Sequence, residues 1–177
     1  MKKDNRGLSL IEMIVVITIM AVMVGGVALG VGLLSRKSVD RCADRLRQLM
    51  QNNRASTMGR YDSKLEIYED GNNIYVLEYT KKDASSAFAA GTPVEIGVAD
   101  IQIKFTLSDG HEYVLGDPGS PSKLILRYDR SSGAMKPLPA EMGTACEGKY
   151  CTKIEISRGT KVKTISISYL TGKMEVE

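Results

Sequence analysis

The feature that most constrains this chain is an unbroken apolar run, Met13–Leu34, in which Thr18 is the one polar side chain. As a helix, the run would extend about 33 Å at roughly 1.5 Å per residue, enough to cross a hydrocarbon core of about 30 Å. Glu12 lies at its entrance, and a carboxylate at bilayer depth costs about 2.5 kcal/mol or more. The run therefore predicts a membrane-spanning helix, and the position of Glu12 requires an explanation.

Two ordinary explanations of the run leave that position unexplained. A cleaved secretory signal peptide is favoured by the small residues Ala28 and Gly30, but the run is longer than the usual apolar region of about 7 to 15 residues. A plain membrane anchor accounts for the length alone. Basic residues flank the run on both sides, so charge does not decide which end lies inside the cell.

The residues after the run have the pattern of an amphipathic helix. Apolar residues recur at spacings of three and four, and no proline interrupts residues 8–57, so the helix can continue to a stop at Gly59. The sequence thus predicts a single helix of about 50 residues whose second half docks on a folded domain. Arg41, Arg45 and Arg47 are interpreted as a solvated face rather than as a DNA contact. The apolar positions are Val39, Cys42, Ala43, Leu46, Leu49 and Met50.

Beyond Tyr61 the apolar residues alternate, which predicts antiparallel strands. A first hairpin is predicted to turn at Asp70–Gly71, a residue pair that favours tight turns. Residues 94–115 predict a long strand, a turn at Asp109–Gly110 and a short return strand. The predicted fold class is α+β, a long amino-terminal helix packed on an antiparallel β-sheet domain.

The rest of this domain is predicted from the same alternation. Residues 123–128 predict another strand, and residues 152–177 predict a meander of three strands with turns at Gly159 and Gly172. Residues 83–93 and 116–122 are rich in Gly, Ser, Ala and Pro and are interpreted as loops.

The sequence lacks the motifs of common enzyme sites. Its one histidine, His111, follows a predicted turn and is interpreted as a solvated residue rather than a general base. There is no phosphate-binding glycine loop, G-x-S-x-G elbow or H-E-x-x-H pair. The formal net charge is +3, which indicates no strong field toward nucleic acid or membrane surfaces. No enzyme activity, catalytic residue, cofactor or metal site is predicted.

Cys146 and Cys151, in "CEGKYC", are a candidate disulfide. A local bridge that closes a small loop is simple to form in an exported domain. Free thiols are one alternative, and a metal site shared with Cys42 and His111 is another. Cys42 falls on the apolar stripe of the helix and is interpreted as a small apolar residue.

At the amino terminus, "KKDNRG" followed by "LSLIEMIVVITIMAVM" resembles the class III signal of type IV pilins and pseudopilins. Such signals join a short basic leader ending in glycine to an apolar helix with Glu at its fifth mature position. The resemblance implies cleavage by prepilin peptidase between Gly7 and Leu8, methylation of the new amino terminus at Leu8, and Glu12 as that fifth residue. It also implies a single pass through the cytoplasmic membrane, with the globular domain outside the cytoplasm, followed by entry into a pilus or pseudopilus.

The resemblance implies a role for Glu12 in filament assembly. In the family, this glutamate is thought to pair with the amino terminus of a neighbouring subunit, here at Leu8. A lone carboxylate is penalised in a low-dielectric core whereas an ion pair attracts strongly, so a subunit without its partner is disfavoured. The implied segments are a leader (1–7), a transmembrane and filament-core helix (8–34), its amphipathic continuation (35–59) and a globular antiparallel β domain (60–177).

Leu8 and Leu29 stand where many pilins have Phe and Pro, and residues 42–79 are similar to the post-helix region of H-type minor pseudopilins. These features favour a minor pilin or pseudopilin of a type IV pilus, type II secretion or competence system. The implied partners are prepilin peptidase, other pilin or pseudopilin subunits, the inner-membrane assembly platform and membrane lipid, with nucleic acid less favoured. The rival interpretation is a membrane-tethered extracellular module that binds DNA or a surface polymer, and a tethered hydrolase comes third.

Overall fold

The computed structural model describes residues 10–59, 62–71, 73–83, 85–98 and 100–177, and within the helix it describes the side chains of residues 10–23 and 37–59. The chain forms two compact units, with the boundary between Arg36 and Lys37. The helix α1, Leu10–Gly59, has 50 residues and contributes to both units. The predicted long helix that ends at Gly59 is therefore confirmed.

In the second unit, α1 buries one stripe of side chains. Residues three or four positions apart lie on the same face of a helix, so this spacing points them all toward the sheets. Each is at most 1% exposed, and Leu49 packs against the same core. The buried residues are Val39, Cys42, Ala43, Leu46 and Met50.

Ten strands and one short 3-10 helix follow α1 among the described residues. They are β1 (Ser63–Asp70), β2 (Asn73–Thr80), β3 (Ala89–Ala90), β4 (Val94–Gly97), β5 (Gln102–Leu107), β6 (Glu112–Val114), β7 (Lys123–Arg127), the 3-10 turn Ala140–Met142, β8 (Cys151–Arg158), β9 (Lys161–Ser168) and β10 (Lys173–Val176).

The strands form two antiparallel sheets. The first has the order β3-β2-β1-β7, and β4 also pairs with β2; the second has the order β10-β9-β8-β5-β6. The predicted α+β class is confirmed, although the strands are divided between two sheets where the sequence predicts one. The first hairpin is confirmed, since Asp70 pairs with Asn73 across a turn in which Gly71 has a φ of +56°. The final three-stranded meander is confirmed as well.

The stretch 94–115 differs from its prediction as one long strand and a return strand. The chain leaves the first sheet after Gly97 and enters the second at Gln102, so β4 and β5 belong to different sheets. Asp100 has a φ of +71° and lies in the bend between them. Both strands bury β-branched side chains, so the apolar pattern alone does not reveal the break. The predicted turn at Asp109–Gly110 is confirmed, because Gly110 N donates to Leu107 O at 2.9 Å.

One hydrophobic cluster joins the second-unit part of α1 to both sheets. Full burial of each large apolar side chain contributes about 1.5–3 kcal/mol. Phe105 and Tyr128 are the largest fully buried side chains. The other members contributed by the strands include Leu65, Ile67, Val76, Ile103, Leu124, Leu126, Ile154, Ile156 and Ile165.

A buried polar cluster fixes the end of α1 on the first sheet. Asn53 Nδ2 donates to Ser63 Oγ at 3.0 Å and to Glu78 Oε1 at 2.9 Å. Thr57 Oγ1 lies 2.5 Å from Ser63 Oγ and donates to Asn53 O at 2.8 Å. Because buried polar atoms need partners, these residues fix the helix at one position along β1 and β2. The sequence pattern gave no sign of this cluster.

Candidate functional site

The first-unit part of α1 that the structure describes is apolar on every side. From Leu10 to Met23, the large apolar side chains are exposed by 42% to 80% in the single chain. A helix that is hydrophobic all round is stable only when its surroundings are apolar, either lipid or other helices. The apolar surface of this segment is therefore suited to lipid or to packing against other helices.

The polar groups of this segment are few, and one of them is satisfied within the helix. Thr18 Oγ1 donates to Ile14 O at 2.7 Å. A hydroxyl bonded to the backbone of its own helix can enter apolar surroundings at low cost. Glu12 is an exposed residue in the first turn of α1.

The predicted processing residues, Gly7 and Leu8, lie outside the described residues. The predicted span Met13–Leu34 likewise extends into residues 24–36, whose side chains are not described. Among the parts of the chain that are described, no helix carries an apolar stretch long enough to cross a membrane. The span and the processing site therefore stay predictions.

In the second unit, Asp109 lies between two basic side chains. His111 Nδ1 lies 2.8 Å from Asp109 Oδ2, and Lys149 Nζ forms an ion pair with the same oxygen. The hydrogen bond from Lys149 lowers the pKa of Asp109 to about 2. His111 is 68% exposed, and this surface arrangement is that of an ion pair at the turn between β5 and β6. Among the contacts that the structure describes for His111, none is with a serine or cysteine side chain.

Cys42, Cys146 and Cys151 are buried free thiols in the structure. Burial raises the pKa of Cys42 and of Cys151 to about 12, and it raises the pKa of Cys146 as well. Cys146 lies near Lys149, whereas Cys151 lies near Tyr128. The candidate disulfide between Cys146 and Cys151 is not formed in this structure and stays a prediction. No group of ligands arranged to hold a metal ion occurs among the described residues.

The three arginines interpreted as one solvated face, Arg41, Arg45 and Arg47, differ from one another in the structure. Arg41 and Arg45 are exposed, but both line a groove beside β4. Arg47 is only half-exposed, and its Nε is buried. The sequence could not reveal the groove, because it depends on where β4 leaves the first sheet.

Comparison with known proteins identifies the amino-terminal segment. The family model described as the prokaryotic N-terminal methylation motif matches residues 2–28, which include Gly7, Leu8 and Glu12. No curated protein and no solved structure matches the chain. The match confirms the resemblance seen in the sequence. The chain thus carries the amino-terminal methylation motif of a type IV pilin-like or pseudopilin-like prepilin.

Proposed function

We propose that the chain is a structural subunit that assembles, through α1, into a type IV pilus or a related pseudopilus. The observation that carries this proposal is the methylation motif at residues 2–28, which overlaps a helix whose apolar side chains are exposed from Leu10 to Met23. Packing of such helices against one another would remove this apolar surface from water, and each fully buried large side chain contributes about 1.5–3 kcal/mol.

The proposed maturation begins with prepilin peptidase. The enzyme cuts between Gly7 and Leu8, and the new amino terminus at Leu8 is methylated. Before assembly, α1 anchors the chain by a single pass in the cytoplasmic membrane, and residues 60–177 lie outside the cytoplasm. The inner-membrane assembly platform and other prepilin-class subunits then take up the chain.

The proposed role of Glu12 is to select a correctly docked neighbour. Its carboxylate is exposed in the first turn of α1, within an otherwise apolar surface. Transfer of this charge into a helical bundle is costly unless a cation pairs with it. The amino terminus at Leu8 of a neighbouring subunit supplies that cation, so the pairing sets the axial register between subunits.

The strand-rich second unit supports the assignment as a minor pilin or pseudopilin, as does Leu29 in the place of proline. The machines in which such a subunit functions are a type IV pilus, a type II secretion system or a competence system.

The test is the intact mass and the amino-terminal sequence of the protein purified from membranes of its native host, with and without prepilin peptidase. We expect a mature chain that begins at Leu8, with or without one added methyl group, only when the peptidase is present. An amino terminus near Val31 would indicate a secreted domain, and an uncut chain a simple anchor. Either result would exclude the filament subunit.

A further inference from the structure

Five charged residues near the start of the second-unit part of α1 form two rows. Lys37, Arg41 and Arg45 recur at every fourth position and form one row, while Asp40 and Asp44 form a second row. The basic row borders β4, since Arg41 and Arg45 share a groove with Ile96 and Val98. The acidic row borders β9, since it faces Lys161 and Lys163.

The two rows differ in whether this chain neutralises them. In the acidic row, Asp40 Oδ1 lies 3.5 Å from Lys161 Nζ. In the basic row, neither Arg41 nor Arg45 forms an ion pair within the part of the chain that the structure describes. Many basic residues of the second unit do have carboxylate partners, for example Lys104, Lys123 and Lys149. Arg41 and Arg45 therefore present guanidinium groups that form no direct ion pair within the described part of the chain, although Glu95 lines the same groove.

Arg41 and Arg45 form one wall of a groove of about 200 Å³, and β4 with the following bend forms the other. The floor is apolar, because Ile96 and Ile101 are each 7% exposed. On the wall, Val98 remains 46% exposed. Pockets for small-molecule ligands usually measure about 300–1,000 Å³, so a groove of this size suits a protruding side chain rather than a cofactor.

Gly97 allows the groove to form. A Cβ atom at this position would lie 3.3 Å from Cys42 Sγ and 3.3 Å from Ile74 Cδ1. The backbone of β4 can therefore approach α1 closely, so the arginines and the strand border the same space. The neighbouring Arg158 is already engaged, because its Nη1 donates to Ser38 Oγ at 3.1 Å and its Nη2 to Asp100 Oδ2 at 3.4 Å.

We propose that this groove receives an acidic side chain of a neighbouring prepilin-class subunit, whose carboxylate binds between Arg41 and Arg45. Side chains four positions apart on a helix are about 5–6 Å apart at Cβ, and guanidinium groups bind carboxylates through paired hydrogen bonds. The apolar floor would bury the stem of the acidic side chain. Glu95 also lines the groove, and its charge disfavours an occupant with many negative charges, such as nucleic acid, more than it disfavours a single carboxylate. This inference rests on the proposed filament function and adds a second contact, remote in sequence from Glu12.

The test is photo-crosslinking of the full-length chain in its native host. A photoreactive phenylalanine analogue replaces Val98 on the groove wall, and the matched control places it at Leu170, which is 73% exposed in the turn before β10. We expect an adduct with a prepilin-class subunit from position 98 and not from position 170. An adduct with lipid, an adduct with a protein of another class, equal adducts from both positions or no adduct would overturn the proposal.

Charge variants provide the second measurement. Arg41→Glu or Arg45→Glu should lower the yield of the adduct from position 98 about tenfold or more, because attraction becomes repulsion. Arg45→Lys should retain much of the yield, and Lys82→Glu, the same change at an exposed lysine, should retain all of it. An unchanged yield in the Arg41 and Arg45 variants would refute the role of the arginines.

The same experiment separates this inference from the proposed function. A chain with the photoreactive analogue at position 98 that matures at Leu8 and enters filaments, but yields no subunit adduct, excludes the groove contact alone. A wild-type chain that is not cut at Gly7 excludes the filament function, and the groove contact with it.

Discussion

Arg54 Nε donates a hydrogen bond to Gly133 O at 2.8 Å, which joins α1 to the loop after β7. The same guanidinium group reaches the turn between β9 and β10, where Nη2 donates to Thr171 O at 2.9 Å. One side chain thus satisfies carbonyl groups from two segments that are remote in sequence. Gly172 lies against both, since a Cβ atom there would meet Gly133 O and lie 2.7 Å from Arg54 Nε.

We expect Gly172→Ala to destabilise the second unit by about 1–3 kcal/mol more than Gly159→Ala. Both glycines have positive φ, +67° and +58° respectively, so both variants carry the backbone cost of an L residue in that region. Only position 172 adds a steric clash, because nothing lies within 4 Å of a Cβ atom at position 159. Denaturant unfolding of the full-length chain in detergent measures the difference, and equal losses would contradict the close approach at Gly172.

Asn53→Ala should lower the free energy of unfolding by about 1–3 kcal/mol, because it removes two donated hydrogen bonds from a buried cluster. Ser63 Oγ and Glu78 Oε1 lose these bonds in the variant. Asn52→Ala is the matched control, since Asn52 is exposed on the same turn of α1 and its replacement should cost less than about 0.5 kcal/mol. The same unfolding measurement compares the two variants, and a loss no greater than that of the control would be inconsistent with the buried cluster.

Lys149→Met should raise the pKa of Asp109 from about 2 toward its ordinary value, because the hydrogen bond from Lys149 is the main cause of the shift. The folded pKa is lowered, so the stabilisation is present above the ordinary pKa of 3.8 and is lost as the pH falls from there to about 2. An NMR titration of the carboxyl carbons measures this pKa. Asp83 is the control, because hydrogen bonds from Ser86 and Ser85 lower its pKa, and it should not move.

Alkylation in denaturant decides the state of the cysteines. The structure, with three buried free thiols, predicts three alkylated residues without a reductant. A Cys146–Cys151 disulfide would leave one residue alkylated without a reductant and three residues alkylated after reduction. In the native protein all three should react slowly at pH 8, because burial raises the pKa of each thiol and shields it. Intact mass spectrometry counts the added groups in each case.

Glu12→Ala should reduce incorporation into filaments at least about tenfold when wild-type subunits compete with it, since it removes the charge proposed to pair with Leu8 of a neighbour. Thr18→Val is the control on the same surface. The Thr18 hydroxyl bonds to Ile14 O within its own helix, so its loss should leave incorporation unchanged. The ratio of filament-associated to membrane-bound subunit measures the effect, and normal incorporation of the Glu12 variant would remove the reason for the proposed pairing.

The parts of this fold that sequence could predict are those that depend on local spacing. The stop of α1 at Gly59, the hairpin turn at Gly71 and the final meander each follow from residue periodicity and turn chemistry within a few positions. The division of residues 94–115 between two sheets depends on the pairing of β4 with β2 and of β5 with β8. These pairings join distant parts of the chain, so a local sequence pattern does not predict them. For the same reason, the groove beside Arg41 and the reach of Arg54 became visible only in the structure.

The hydrogen bond from Thr18 to the backbone of its own helix has a consequence for packing in the proposed filament. Because that hydroxyl bonds to the backbone of its own helix, the side chains described from Met13 to Met23 present an apolar surface on every side. Polarity therefore favours no rotation of the helix about its axis over another. Such a surface can pack against neighbouring helices, but it does not favour one orientation of them over another. In the proposed filament, the rotation and the axial position of the subunit would then depend on the charge of Glu12 at one end and on the folded unit at the other.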